Sequence, residues 1–203
     1  MNVFILFWDT SHMRSDKADA CLIEYPGSEN TAGWLGTREL PVPDRIVFEA
    51  KMDVVRATDY PVNDVNWPLM SPKMRETLLA AGPLPRHRDI PVLMVDRDVP
   101  VTRRVTAPGQ YRPEVIDDRF TALHLLEHAD AFDWERSEYE KHPQLPNRVK
   151  KVRRLVLQEP AGGFPPIFRL SAYPKRLLVR EDARDALDRA GVRGTVFWPL
   201  DRA

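Results

Sequence analysis

Residues 120–128 read FTALHLLEH, and the conformation of these nine residues decides the fold and much of the chemistry. A helix would put His124 and His128 on one face, with Glu127 beside them. That is the H-x-x-E-H arrangement of an inverted zinc-peptidase site. A strand would separate the two rings by about 13 Å, too far to share one ion. The run Leu-His-Leu-Leu alternates imperfectly, so periodicity alone leaves both open, with a strand over 120–127 the first expectation. A zinc hydrolase needs the helix and a third ligand from elsewhere, for which Glu159 or Glu181 are merely available. It stands as the alternative reading, with His124 and His128 as its metal ligands.

The next residues, ADAFDWERSEYE (129–140), are dense in carboxylates yet hold Trp134 and Tyr139. Asp130, Asp133, Glu135, Glu138 and Glu140 could include an acid–base pair, but a glycosidase-like dyad is defined by a separation across a cleft that sequence does not show. Large rings are costly to leave in water unless they pack or bind. One reading makes Asp130, Asp133, Glu135, Glu138, Tyr139 and Glu140 a surface that grips a partner. In the other, Trp134 plugs the core and Asp133 or Ser137 caps a helix. The second suits Trp134 better, and the flanking glutamates remain the better contact candidates.

The whole chain carries 30 basic and 30 acidic residues in 203, so no global field marks a nucleic-acid or membrane binder. The balance conceals an asymmetry: residues 111–140 hold nine acids and three bases, whereas 141–203 hold fourteen bases and six acids. The basic string at 148–154, RVKKVRR, lacks the interleaved aromatics of a single-strand binder and reads as a solvated edge strand. One cysteine, Cys21, excludes an internal disulfide and a cysteine metal framework, fits a reducing cytoplasm, and reads as a buried thiol. The apolar run Val3–Trp8 is too short to span a bilayer and reads as a buried strand.

Nineteen prolines cut the chain into short elements and disfavour helical bundles. Residues 9–45 carry few periodic signals. Residues 45–57 suggest one or two short strands, and 59–70 a loop. Ser71 as N-cap, Pro72 at the first turn, Met74 and Leu78 one turn apart, and Gly82-Pro83 as the stop together predict a helix. Strands are expected at 90–96, 149–158, 166–171, 175–180 and 195–198. Ala183, Ala186, Leu187 and Ala190 predict a helix over about 181–190, which Gly191 ends. Strands outnumber helices without alternating strictly with them. The expected class is therefore α+β, a mostly antiparallel sheet of short strands with a few helices against it, in one domain spanning 1–203. No nucleophile elbow, Walker loop or dinucleotide-binding turn is present.

Asp133-Trp134-x-x-Ser137, the strand Ile167-Phe168-Arg169 and the strand–helix–Gly191-x-x-Gly194-x-x-Phe197 ending resemble immunity-protein family eleven of bacterial polymorphic toxin systems. The serine-led helix at MSPKMRETLLAAG fits too, and the resemblance is clearest over residues 64–200. One departure is the Arg180-Glu181-Asp182 entry to the last helix, where the family often has a serine-like cap. The resemblance implies a cytoplasmic protein that is not an enzyme and needs no cofactor. It would bind and neutralise an adjacently encoded antibacterial toxin, nucleases being common among such toxins. The implied partner is that toxin, with no direct contact to nucleic acid or membrane.

Overall fold

Six apolar residues in a row, Val3–Trp8, form strand β1, and both of its faces find cover. Val3 and Ile5 enter one core cluster and Leu6 another, so the two-residue period of a strand divides the run between two layers. The computed structural model describes residues 2–13, 18–24, 35–39, 45–107 and 110–200. Its elements in chain order are β1, β2 (Ala20–Glu24), β3 (Ile46–Ala50), α1 (Met52–Ala57), β4 (Leu69–Met70), α2 (Pro72–Ala80), β5 (His87–Asp96), α3 (Val101–Arg104), β6 (Val105–Ala107), β7 (Gln110–Tyr111), β8 (Ile116–Asp117), β9 (Thr121–Leu125), β10 (Glu138–Lys141), β11 (Val149–Arg154), β12 (Ile167–Phe168), β13 (Leu177–Arg180), α4 (Glu181–Arg189) and β14 (Thr195–Pro199).

The fold is α+β, with mostly antiparallel sheets of short strands. One sheet has the order β12-β13-β1-β14, and the other runs β2-β3-β5-β9-β4, with β8 also on β5. Two-stranded ribbons, β10-β11 and β6-β7, complete the set. Helices α2 and α4 lie between the sheets. Met74 and Leu78 of α2 join Ala183 and Leu187 of α4, with Leu6, Leu177 and Val179 from one sheet and Leu123 and Leu125 from the other. The far face of the second sheet packs Phe48, Ile90, Met94 and Ala122 around Trp67 and Phe120. The far face of the first sheet receives the β10-β11 ribbon through Val149 and Val152.

Residues 45–57 depart from the expected strands, because the chain leaves β3 directly into helix α1. Val54-Val55 favours a strand locally. However, β3 pairs with β5 in parallel, and a parallel pair requires a crossover to the opposite end of the sheet. Met52 and Val55, one turn apart, bury the helix against the sheet. In the stretch 9–45, β2 is a strand that the sequence reading passed over, and much of the remainder lies outside the described residues. Cys21 on β2 is half-buried rather than enclosed.

Helix α2 matches its sequence signals: Ser71 Oγ accepts the Met74 N–H at 3.2 Å. Helix α4 has no side-chain cap at Arg180. Its first N–H, from Glu181, instead reaches the Asn2 carbonyl at 3.0 Å, and Asn2 Nδ2 donates to Glu181 Oε1 at 2.9 Å. A neighbouring chain segment does the work of the missing serine. Arg180 meanwhile donates to the Ala81 carbonyl at 2.8 Å and the Phe164 carbonyl at 2.7 Å, fixing the end of α2 to the start of α4. Among the described residues, no helix is long and apolar enough to cross a membrane.

Candidate functional site

FTALHLLEH is a strand followed by a turn into the acidic segment. Residues 121–125 pair with both β5 and β4, so His124 stands in the second sheet, wholly buried, and donates Nε2–H to the Gly36 carbonyl at 3.2 Å. His128 lies beyond the strand end. Burial holds both imidazoles below the usual histidine range, His128 at about 4, with the positive charge of Arg169 adding to the effect. The shared helical face that the zinc alternative requires does not exist, and no cluster of three or more ligating side chains occurs among the described residues. Glu159 and Glu181 therefore join no such cluster.

The acidic segment divides into a turn and a strand. Asp133 is 2% exposed and organises the turn. Its Oδ1 accepts the N–H groups of Glu135 at 3.1 Å and Arg136 at 2.8 Å, while its carbonyl accepts the Ser137 N–H at 3.0 Å. Ser137 Oγ then donates to the Val156 carbonyl at 3.1 Å and accepts the Val156 N–H at 3.0 Å. The expected capping role is thus real, but it closes a turn rather than a helix. Asp133 offers no free carboxylate to a partner.

This turn lifts Trp134 to the surface. Trp134 is 36% exposed, so it is not a core plug. Its ring meets Phe132 at 4.7 Å and Tyr139 at 5.4 Å between centroids, and Phe132 meets Tyr139 at 5.3 Å, each pair edge-on. Buried Phe132 anchors the trio, leaving one flank of Trp134 and part of Tyr139 facing out. They line an open cleft of about 620 Å³ with Asp130, Lys141, Asn147 and Ser171. That is within the size range of small-ligand and peptide-side-chain sites.

Beyond the turn, the charge asymmetry of the sequence becomes a structure. Strand β10 carries Glu138 and Glu140, and β11 carries the basic string. Arg154 Nε lies 3.4 Å from Glu138 Oε1, and Arg153 Nη2 lies 3.5 Å from Glu140 Oε1. The acids and bases that sequence reading treated as separate patches therefore screen one another across a ribbon. Val149 and Val152 point inward while Lys150, Lys151, Arg153 and Arg154 stay in water, the pattern of a solvated edge strand. Asp130 and Glu135 are exposed, and no ion pair involves either among the described residues.

The structure thus brings Asp130, Trp134 and Tyr139 together at one cleft, sets Glu135 on the turn beside it, and occupies Glu138 and Glu140 with arginines. Lys141, Asn147 and Ser171 were missed by sequence reading. Lys141 shares the cleft face with Tyr139, two residues before it on β10, a strand not among those expected from the sequence. Asn147 and Ser171 come from remote loops and leave no local trace. No protein-family model matches the chain, and no curated protein matches it.

Proposed function

We propose that this chain is an immunity protein that binds a cognate antibacterial toxin stoichiometrically and neutralises it, making and breaking no bonds itself. The observation that carries the reading is the half-exposed Trp134, held rigid by Phe132 and Tyr139 at the edge of an open cleft. A pre-ordered aromatic ring binds at little entropic cost, and such rings dominate the energetics of tight interfaces. The turn made by Asp133 and Ser137 supplies that order. This gives Asp133-Trp134-x-x-Ser137 a physical purpose: two polar residues fold the turn so that the ring between them is presented.

Asp130 and Glu135 add uncompensated negative charge beside the ring, suited to a basic toxin surface such as a nuclease cleft. Burial of about 1,600 Å² in total would extend the contact well beyond the cleft, over the β10-β11 ribbon and neighbouring loops. The reading places the protein in the cytoplasm, where a delivered toxin acts.

The test is a binding titration between the purified chain and the C-terminal toxin domain encoded beside it, in inactivated form. A one-to-one complex that Trp134→Ala weakens by about 30-fold or more supports the proposal. Absence of a complex with the wild-type chain, or turnover of a substrate by the chain alone, would overturn it.

A further inference from the structure

Arg169 is 5% exposed and has no carboxylate partner among the described residues. Its backbone continues from β12, whose Phe168 faces the ribbon-side core, so the two-residue period turns Arg169 to the opposite face, beside Tyr60. Its one side-chain hydrogen bond runs from Nη1 to the Pro174 carbonyl at 2.6 Å. A guanidinium has five N–H donors, and one carbonyl leaves most of that capacity unused. The groups whose charge it feels are Tyr60, His124 and His128, and none of these is anionic at neutral pH. A buried cation without a counter-charge costs several kcal/mol. Such a group persists where an anion completes it.

The surroundings are built for that anion. Arg169 lines a pocket of about 80 Å³ together with Trp8, Tyr60, Asn66, Lys175 and Arg176. Three cationic residues thus line one small space. The indole Nε1 of Trp8, whose residue lines the pocket, is buried and has no hydrogen-bond partner among the described residues. Trp8 and Tyr60 stack at 5.8 Å between centroids and form one wall. Arg176 is held over the Phe7 ring at 4.9 Å, which fixes its position at the rim. Asn66, which also lines the pocket, adopts a left-handed backbone (φ 57°). No acidic residue lines the pocket.

We propose that this pocket is a binding site for a small oxyanion, a phosphate or carboxylate group seated on the Arg169 guanidinium. Its volume exceeds the roughly 10–15 Å³ that one water needs and falls far short of the 300–1,000 Å³ of drug-sized sites. A compact charged group fits, whether free or at the end of a larger molecule. Planar guanidinium geometry favours two-point contact with either oxyanion. Burial also holds the Arg169 pKa down at about 10, so the group remains charged at neutral pH and its charge remains unanswered.

The experiment uses the full chain and inorganic phosphate, acetate and chloride at matched ionic strength, read by thermal unfolding and by isothermal titration. Phosphate or acetate should raise the unfolding midpoint beyond chloride in a saturable way. A response to phosphate alone assigns a phosphate group, and a response to acetate alone assigns a carboxylate. Arg169→Met, which keeps volume and removes charge, should weaken binding by about tenfold or more. The double variant Lys175→Gln/Arg176→Gln alters only the pocket rim and should weaken binding too, which covers the case in which Arg169→Met does not fold. Equal midpoints in all three salts, or undiminished binding in the rim variant and in any folded Arg169→Met, would overturn the assignment. Toxin binding is a separate measurement, and its outcome does not bear on this one.

Discussion

Gly194 packs so closely on Thr58 that a Cβ built on the glycine would stand 2.1 Å from Thr58 Oγ1 and 2.8 Å from the Tyr60 carbonyl oxygen. Its φ of 90° is also one that side-chain-bearing residues rarely adopt. Gly194→Ala should therefore destabilise the fold by about 2–4 kcal/mol in urea unfolding. Gly191 has φ 62° but open space where its Cβ would go, so Gly191→Ala should cost only about 1–2 kcal/mol. Equal losses in the two variants would show that the contact with Thr58 carries no weight.

Asp59 sits at the centre of the neighbouring contact. Its Oδ1 accepts the Ser71 hydroxyl at 2.7 Å, and its Oδ2 accepts the Arg193 N–H at 2.9 Å and lies 2.8 Å from Lys73 Nζ. Burial pushes this carboxyl up, but Lys73, the Arg193 N–H and Ser71 together outweigh it and hold it below the usual aspartate range. Its stabilising contribution is therefore present above about pH 4 and is lost as pH falls toward the lower folded value. Asp59→Ala should cost about 2–3 kcal/mol at pH 7, with the deficit shrinking below pH 4. Urea midpoints across that range measure both effects.

His128 governs a different window. Both ring nitrogens are buried without hydrogen-bond partners among the described residues, and burial pushes the pKa down to about 4 from an ordinary 6.5. Between those values the unfolded chain takes up a proton that the folded chain refuses, so stability should fall as pH drops from about 6.5 to 4. In His128→Gln the slope over that interval should flatten. A ring titrating near 6.5 in the folded protein, followed by NMR, would contradict the burial argument.

The acids near Trp134 are not equivalent, and association kinetics should separate them. Glu135 has no ion-pair partner among the described residues, whereas Glu138 faces Arg154. Glu135→Lys should slow toxin association at low salt more than Glu138→Lys does, because a screened charge contributes little to long-range steering. The comparison is a pair of stopped-flow on-rates at two ionic strengths.

Asp133→Ala should cost about 1 kcal/mol of stability by removing the turn's acceptor. It should also weaken binding of the proposed toxin although Asp133 is itself buried, because the Trp134 ring would lose its fixed pose. Trp134→Ala should weaken binding with little change in the urea midpoint. Two variants that behaved identically in both assays would remove the distinction between the ring and its support.

Elements whose signals are local were legible in the sequence. Ser71-Pro72 at the start of α2, the basic edge-strand composition of β11 and the apolar run of β1 each say what they become. Helix α1 was not, because Val54-Val55 resembles a strand until the parallel pairing of β3 with β5 imposes a crossover. His124 and His128 illustrate the opposite hazard, where a spacing suggested a shared helical face and the chain forms a strand that ends before His128. At the cleft, the aromatic and acidic character of 130–140 was readable. The neutralisation of Glu138 and Glu140 was not, since it depends on a ribbon partner more than ten residues away. Arg169 in an apolar strand motif was visible as a letter, but its lack of a counter-charge emerges only from the packing.

Strand β1 lies between β13 and β14, so its two partners are synthesised roughly 170 residues after it. At ribosomal speeds of about 5–20 residues per second, Val-Phe-Ile-Leu-Phe-Trp waits on the order of 10–30 s for company. During that interval the nascent polypeptide trails its stickiest segment unguarded, and any chaperone that escorts it should hold on there until β13 and β14 have emerged.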